Sequence, residues 1–331
     1  MKIVIDSAIP YIDNLLDPYF DVVRKEGVKI GADDLRDADA LIVRTRTRCN
    51  RALLEGSPVK FIATATIGMD HIDLDYCLSR SIQVESAAGC NAAGVLQWVA
   101  AALAAFAAKE EFEPCHKRLG IVGVGHVGSL VAEYAREWGF EVLCCDPPRE
   151  ERGEKGFVAL EEIARQCDIV TFHTPLDSST RHMADDEFFK MLRKGAIVLN
   201  SSRGEVVDGK ALLRSGVQCA LDVWEQEPNI DRELLQYAQF ATPHIAGYSA
   251  QGKANASAMA VEALARRFDL PIRGWYPPQV ERVMRQKISW RELCRTISSH
   301  FDIEAESRLL KSRAESFEQI RNNYCYRNEY F

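Results

Sequence analysis

The sequence predicts an α/β protein: two Rossmann-like or flavodoxin-like, doubly wound parallel-sheet domains with a cleft between them, followed by a small C-terminal module. Three observations carry this expectation. Short β-rich runs alternate with stretches of helical character, the pattern of parallel strands joined by crossovers. One long alanine-rich stretch divides that alternation into two blocks. The 331 residues also exceed what one ordinary core holds.

The elements follow in order. "MKIVIDSAIP" opens with a strand-like run and an early aspartate and lacks the pattern of a signal peptide, so a reduced cytoplasmic setting is expected. "KIVID", "ALIVRT", "FIATAT" and "IQVESA" are the strands of the first block. "NAAGVLQWVAAALAAFAAKE" reads as a helix of good propensity from near Asn91. It comes nearest to a membrane span but reads as too short and ends in charge. Strands resume with "RLGIVGVG", "EVLCCDP", "DIVTFHTPL", "AIVLNSSRG", "QCALDVW" and "FATPHIAG". The helical stretch after Tyr248 is expected to cross back. The domains expected are therefore 1–90 with 249–270, then 91–248, then a helical module over 271–331 rich in arginine and glutamate.

Composition narrows the function. Hydrophobic residues at 47% and charged residues at 27% are the balance of a soluble globular chain. A net charge of −7 argues against a nucleic-acid binder, whose domains carry a basic face. The 10 cysteines form no CxxC pair and no cluster with zinc spacing, so no metal is expected.

"RLGIVGVGHVGSLVAEYAREWGFEVLCCDPP" is the most informative stretch. Gly123, Gly125 and Gly128 form G-x-G-x-x-G directly after an apolar strand, with His126 and Val127 at the start of the next helix. The first glycine permits a tight turn, the second lets the backbone approach a pyrophosphate, and the third lets helix and strand pack closely. The helix start adds oriented N–H donors. Asp146 ends the next strand, where a carboxylate accepts from ribose hydroxyls and repels a 2′-phosphate. NAD is favoured over NADP, with Arg149 close enough to soften that preference.

Three later strand ends carry chemistry. "VLNSSRGEVVD" offers Arg203, "ALDVWEQEP" offers Asp222, Glu225 and Glu227, and "ATPHIAGYS" offers His244. A guanidinium fork clamps a carboxylate, and an imidazole beside an acid suits proton transfer near neutral pH. Taken singly, each has a bland alternative, a solvated arginine, a water-facing acid or a structural histidine. Together, behind the glycine fingerprint, they point to an enzyme.

This order of motifs, extended upstream through "TIGMDHIDLDYC" and "GCNAAGVLQWV", resembles the D-isomer-specific 2-hydroxyacid dehydrogenases over residues 1–270. "CDPPR" and "HIAGYSAQGKA" are similar to a branch of that family acting on a phosphorylated sugar acid, and "FEQIRNNYCYRNE" to that branch's terminal module. The resemblance implies NAD-dependent oxidation of a 2-hydroxy acid. It makes Arg203 and Glu227 active-site residues and His244 the proton carrier. It puts Asp146, Thr174, Asp222 and Gly247 on NAD, and Thr45, Thr66 and Tyr248 on the substrate. Thr45 stands where those relatives usually have serine, which preserves the hydroxyl. It also implies a homodimer made by the terminal module.

The phosphate end stays open. Arg44, Arg46 and Arg48 alternate along what reads as an extended segment, facing either a phosphate or water, with Thr45 and Thr47 on the other side. Arg321 and Arg327 in the tail are further candidates. A sister enzyme acting on another 2-hydroxy acid such as 3-phosphoglycerate is the alternative function. An NAD-responsive binding protein is the alternative from another class.

Overall fold

A computed structural model describes residues 1–330. The chain forms two compact units, Met1–Asn91 with Ala250–Arg282, and Ala92–Ser249 with the segment from Val283 onward.

The first unit holds five parallel strands: β1 (Lys2–Asp6), β2 (Asp21–Lys25), β3 (Ala40–Val43), β4 (Phe61–Thr64) and β5 (Gln83–Ser86), ordered β2-β1-β3-β4-β5. β3 and β4 are buried at every residue, as continuous apolar runs in a two-sided parallel sheet require. β2 is an addition to the expected strands. Its sequence, DVVRK, pairs two apolar residues with flanking charges, and it sits half-exposed at the sheet edge. The helices between strands are shorter than the sequence suggests, Arg51–Leu54 and Leu74–Ser79. The returning helix Ala250–Phe268 belongs to this unit and sends Ala260, Val261 and Leu264 into its core with Ile3, Ile42 and Phe61.

The second unit holds six parallel strands: β6 (Arg118–Val122), β7 (Glu141–Cys145), β8 (Ile169–Phe172), β9 (Ile197–Asn200), β10 (Gln218–Leu221) and β11 (Phe240–Ala241), ordered β11-β10-β9-β8-β6-β7. The chain steps from β6 to β7, then crosses back to β8. The direction of winding therefore reverses between β6 and β8, where ligands of such sheets lie beyond the carboxyl ends.

Helix Ala92–Glu110 is apolar on all sides, and such helices are buried. At 19 residues it is long and apolar enough to cross a membrane, contrary to the sequence expectation, but 78% of its most apolar window lies inside the protein.

The terminal helices Trp290–His300, Ile303–Ser312 and Phe317–Asn322 form no core of their own, which corrects the expected separate module. Their apolar stripes are too short to close on themselves. Leu293, Ile297 and Phe301 join the core built on helix Ala92–Glu110. Leu310, Phe317 and Ile320 join the core on the other side of the sheet.

Candidate active site

The glycine turn is built as its sequence demands. Gly123 leaves β6 with φ 85°, and a Cβ there would lie 2.8 Å from the His173 carbonyl and the Thr174 nitrogen. The first glycine thus lets the turn lie against the end of β8, at the winding reversal. A Cβ on Gly128 would collide with the Gly123 carbonyl oxygen, so helix His126–Trp138 can approach β6 only with glycine there. Gly125 precedes that helix and has open space where a side chain would be. Beside it is a cavity of about 530 Å³ lined by Gly125, His126, Ser129, Arg149, Glu154 and Arg285. A bare backbone at the N-terminus of a 13-residue helix, open to a cavity, fits a dinucleotide pyrophosphate.

Asp146 sits at the mouth of this turn. Its Oδ2 accepts from the Val124 N–H at 2.7 Å and its Oδ1 from the Arg149 N–H at 3.1 Å, so the carboxylate also holds the glycine loop in shape. Arg149 donates through Nη1 to the Val124 carbonyl at 2.6 Å and through Nε to Glu154 at 2.8 Å. The cation that could have welcomed a 2′-phosphate is already paired.

The imidazole and carboxylate singled out from the sequence meet. His244 Nδ1 and Glu227 Oε2 are 2.8 Å apart. A carboxylate only accepts, so Nδ1 carries the proton and Nε2 is left as the basic nitrogen. Burial alone would raise the Glu227 carboxyl. The hydrogen bond and charge of His244, the Arg321 guanidinium and the Trp224 N–H outweigh it and hold that carboxyl below its usual range.

The small residues around His244 have a structural cause. His244 adopts a left-handed backbone, φ 59°, which costs on the order of 1 kcal/mol for a non-glycine residue. It aims successive N–H groups at Asp222. His244 donates to the Asp222 carbonyl at 2.7 Å, and Ile245 and Ala246 donate to its two carboxylate oxygens at 2.8 and 2.9 Å. Thr242 adds its hydroxyl at 2.6 Å. Burial nevertheless raises the Asp222 carboxyl, against the charge of His244 and the three hydrogen bonds to the carboxylate. Asp222 is thus the keystone of the histidine loop, a role the sequence did not reveal. Gly247 and the half-buried Tyr248 complete the turn.

Arg203 follows β9, with Asn200 accepting from Ser202 and donating to the Arg203 carbonyl. The next residue, Gly204, is pressed so closely on the Trp224 carbonyl and Glu225 nitrogen that any Cβ would collide with them. The arginine loop and the acid loop are therefore in backbone contact. Thr174, at the end of β8, is half-buried and near Met183.

In the first unit, Thr66 shares a hydrogen bond of 2.7 Å with Thr64, whose hydroxyl reaches His71 Nε2 at 3.1 Å. The expected alternation of Arg44, Arg46 and Arg48 does not hold. The Thr47 N–H closes a turn on the Arg44 carbonyl, so the segment is bent rather than extended. Arg44 lies 3.5 Å from the buried Asp6, Thr45 is exposed and Thr47 is buried against the Gly27 carbonyl.

Of the two tail arginines expected as phosphate candidates, one is spent otherwise. Arg327 is buried and donates to the carbonyls of Ile245, Ala246, Tyr248 and Gly94, over the ring of Phe301. Arg321 instead reaches Tyr248 and Glu227.

Residues 96–246 match the family described as D-isomer specific 2-hydroxyacid dehydrogenase, NAD binding domain. An erythronate-4-phosphate dehydrogenase of Bacteroides fragilis is 46% identical over 99% of this chain and 97% of its own length. The chain belongs to the D-isomer-specific 2-hydroxyacid dehydrogenase family, on its erythronate-4-phosphate dehydrogenase branch. A second member of the branch, from Bacteroides thetaiotaomicron, is 44% identical over 99% of this chain and 97% of its own. Among solved structures, the NAD-bound 3-phosphoglycerate dehydrogenase of Entamoeba histolytica superposes with a TM-score of 0.68, at 26% identity over 83% of this chain and 98% of that one. The second unit is accordingly the family's NAD-binding domain, and the chain is an NAD-dependent dehydrogenase.

Proposed function

We propose that this protein oxidises 4-phospho-D-erythronate at C2 to 3-hydroxy-2-oxo-4-phosphooxybutanoate, with NAD as cofactor, within pyridoxal 5′-phosphate biosynthesis. The observation that carries the chemistry is the His244–Glu227 pair, with the glycine turn and the Arg203 loop on the same sheet edge. The substrate rests on the full-length likeness to erythronate-4-phosphate dehydrogenases.

His244 Nε2 takes the proton of the 2-hydroxyl, because Glu227 keeps Nδ1 protonated and stabilises the imidazolium that forms. Arg203 clamps the 1-carboxylate and polarises the developing carbonyl. NAD, when bound, supplies the acceptor for the hydride leaving C2. Gly123, Gly125, His126, Val127 and Gly128 would hold its pyrophosphate, Asp146 its ribose, and Thr174, Asp222 and Gly247 would line its remaining length. Thr45, Thr66, Tyr248 and Arg44 are assigned to the substrate.

We further place the enzyme in the cytoplasm as a homodimer. Met284, Leu309 and Tyr326 stay exposed on the segment after Val283 and supply apolar surface for such a contact. Sedimentation at micromolar concentration should give twice the chain mass.

The deciding experiment is a steady-state panel with NAD, alone and with an added 2-oxo acid acceptor. The substrates are 4-phospho-D-erythronate, 3-phosphoglycerate and simple D-2-hydroxy acids. The highest kcat/KM is expected for 4-phospho-D-erythronate, and a higher value for any other substrate overturns the assignment.

A further inference from the structure

We propose that Arg321, on the last helix of the chain, is a positioning residue of the reaction. Its guanidinium sets the charge around the His244–Glu227 pair. The inference rests on the reading of His244 as proton acceptor and adds to it a group from outside the sheet edge.

The geometry is specific. Arg321 Nη1 lies 3.7 Å from Glu227 Oε2, the same oxygen that takes the His244 Nδ1–H at 2.8 Å. Arg321 Nε donates to the Tyr248 hydroxyl at 3.1 Å, and its guanidinium carbon stands 5.8 Å from the centre of that ring. Two contacts of different kinds fix the cation where it shares one carboxylate oxygen with the imidazole. Glu227 is only 18% exposed, so water screens the three groups weakly.

The helix carrying Arg321 is also tied to the histidine loop independently. Just beyond it, Arg327 grips the carbonyls of Ile245, Ala246 and Tyr248 and the hydroxyl of Tyr324. Ser249 pairs with Arg327 through the backbone, and its hydroxyl donates to Glu329 at 2.6 Å. The loop that presents the base is therefore built jointly by the sheet edge and the tail.

The electrostatic consequence follows in sign. A lone carboxylate at Nδ1 favours the imidazolium. A cation 3.7 Å from the same oxygen withdraws part of that favour. Other charged groups around the loop within its unit include Asp222, Glu306, Arg327 and Glu329. The three carboxyls oppose Arg321 in sign, and Arg327 acts with it.

The test is a titration of the full-length protein with carbon-13-labelled imidazoles over about pH 5 to 9, where histidine exchanges its proton. His244→Asn identifies the His244 signal. Arg321→Met should raise its midpoint by about one pH unit, the scale of a nearby charge change. Arg321→Lys, which restores a cation, should bring it most of the way back. Arg321→Gln, which can still bond Tyr248, should behave like Arg321→Met and serves if the methionine variant fails to fold. The acid limb of kcat/KM for oxidation should move upward with the midpoint. An unmoved midpoint in both neutral variants, or no recovery with lysine, overturns the proposal. The spectra need no substrate, so a chain inactive on 4-phospho-D-erythronate would lose its substrate assignment and still show the shift.

Discussion

Two histidine–glutamate pairs stand on the same loop system, and both measure 2.8 Å. Glu227 pairs with His244, and Glu225, two residues earlier, pairs with His182. Bond length does not separate them; surroundings do. Glu227 is mostly buried, takes the Trp224 N–H and has Arg321 beside it, and its histidine stands at the end of a strand. Glu225 and His182 are each more exposed than their counterparts, and the second oxygen of Glu225 takes the Gly209 N–H. His182 itself is anchored by its backbone to the Glu205 carbonyl. The first pair is arranged to move a proton, and the second to fasten three loop segments together. A bonded imidazole and carboxylate are not by themselves a catalytic signature.

The sharpest way to break this contrast is to delete each imidazole. His244→Asn should lower kcat/KM by about 10³-fold, within the range for loss of a general base, whereas His182→Asn should stay within about threefold of the parent. Steady-state kinetics on both variants decides it, and equal losses would void the distinction. Next come the acids. Glu227→Gln should cost about 10²-fold in kcat/KM, since it leaves the imidazolium without its counter-charge. Glu225→Gln should leave turnover nearly intact and lower stability by about 1 kcal/mol, read from urea midpoints.

The smallest effect concerns a third imidazole with no acid at all. His173 bonds only the Thr171 hydroxyl among the described contacts, at 3.0 Å, and burial pushes it down to about 3. The unfolded chain takes up a proton there below about pH 6.5, while the folded one does not. Stability from this site is therefore whole above that pH and drains as pH falls toward 3. His173 retains some exposed surface, so the slope should fall short of one full proton. His173→Gln should flatten it in urea denaturation series between neutral and mildly acid pH.

Much of this was legible in the residues themselves. The short continuous apolar runs of β3, β4, β8 and β9, bounded by turn residues, announce strands of a parallel sheet buried on both faces. Gly123, Gly125 and Gly128 disclose their roles since each spacing answers to a different steric demand. β2 was missed because DVVRK at a half-exposed edge carries too few apolar residues to stand out. The bend at Arg44 was missed because the alternation of arginine and threonine imitates a strand. Nor could spacing tell Glu225 from Glu227. Both flank Gln226 with equal access in sequence, and only folding assigns them different histidines. The Asp222 cage and the reach of Arg321 involve groups 22 and 77 residues from His244 or within its own backbone, with no local pattern to betray them; the one available hint was the density of arginine and tyrosine in the tail.

One contact reaches beyond its own neighbourhood. With no atom to spare between Gly204 and the Trp224–Glu225 peptide, the segments bearing the guanidinium and the acid are interlocked like two teeth of a gear. Neither can drift without carrying the other. Lesions in one segment should thus be repaired by second-site changes in its mate, and the spacing of the two reactive groups is inherited as a single unit.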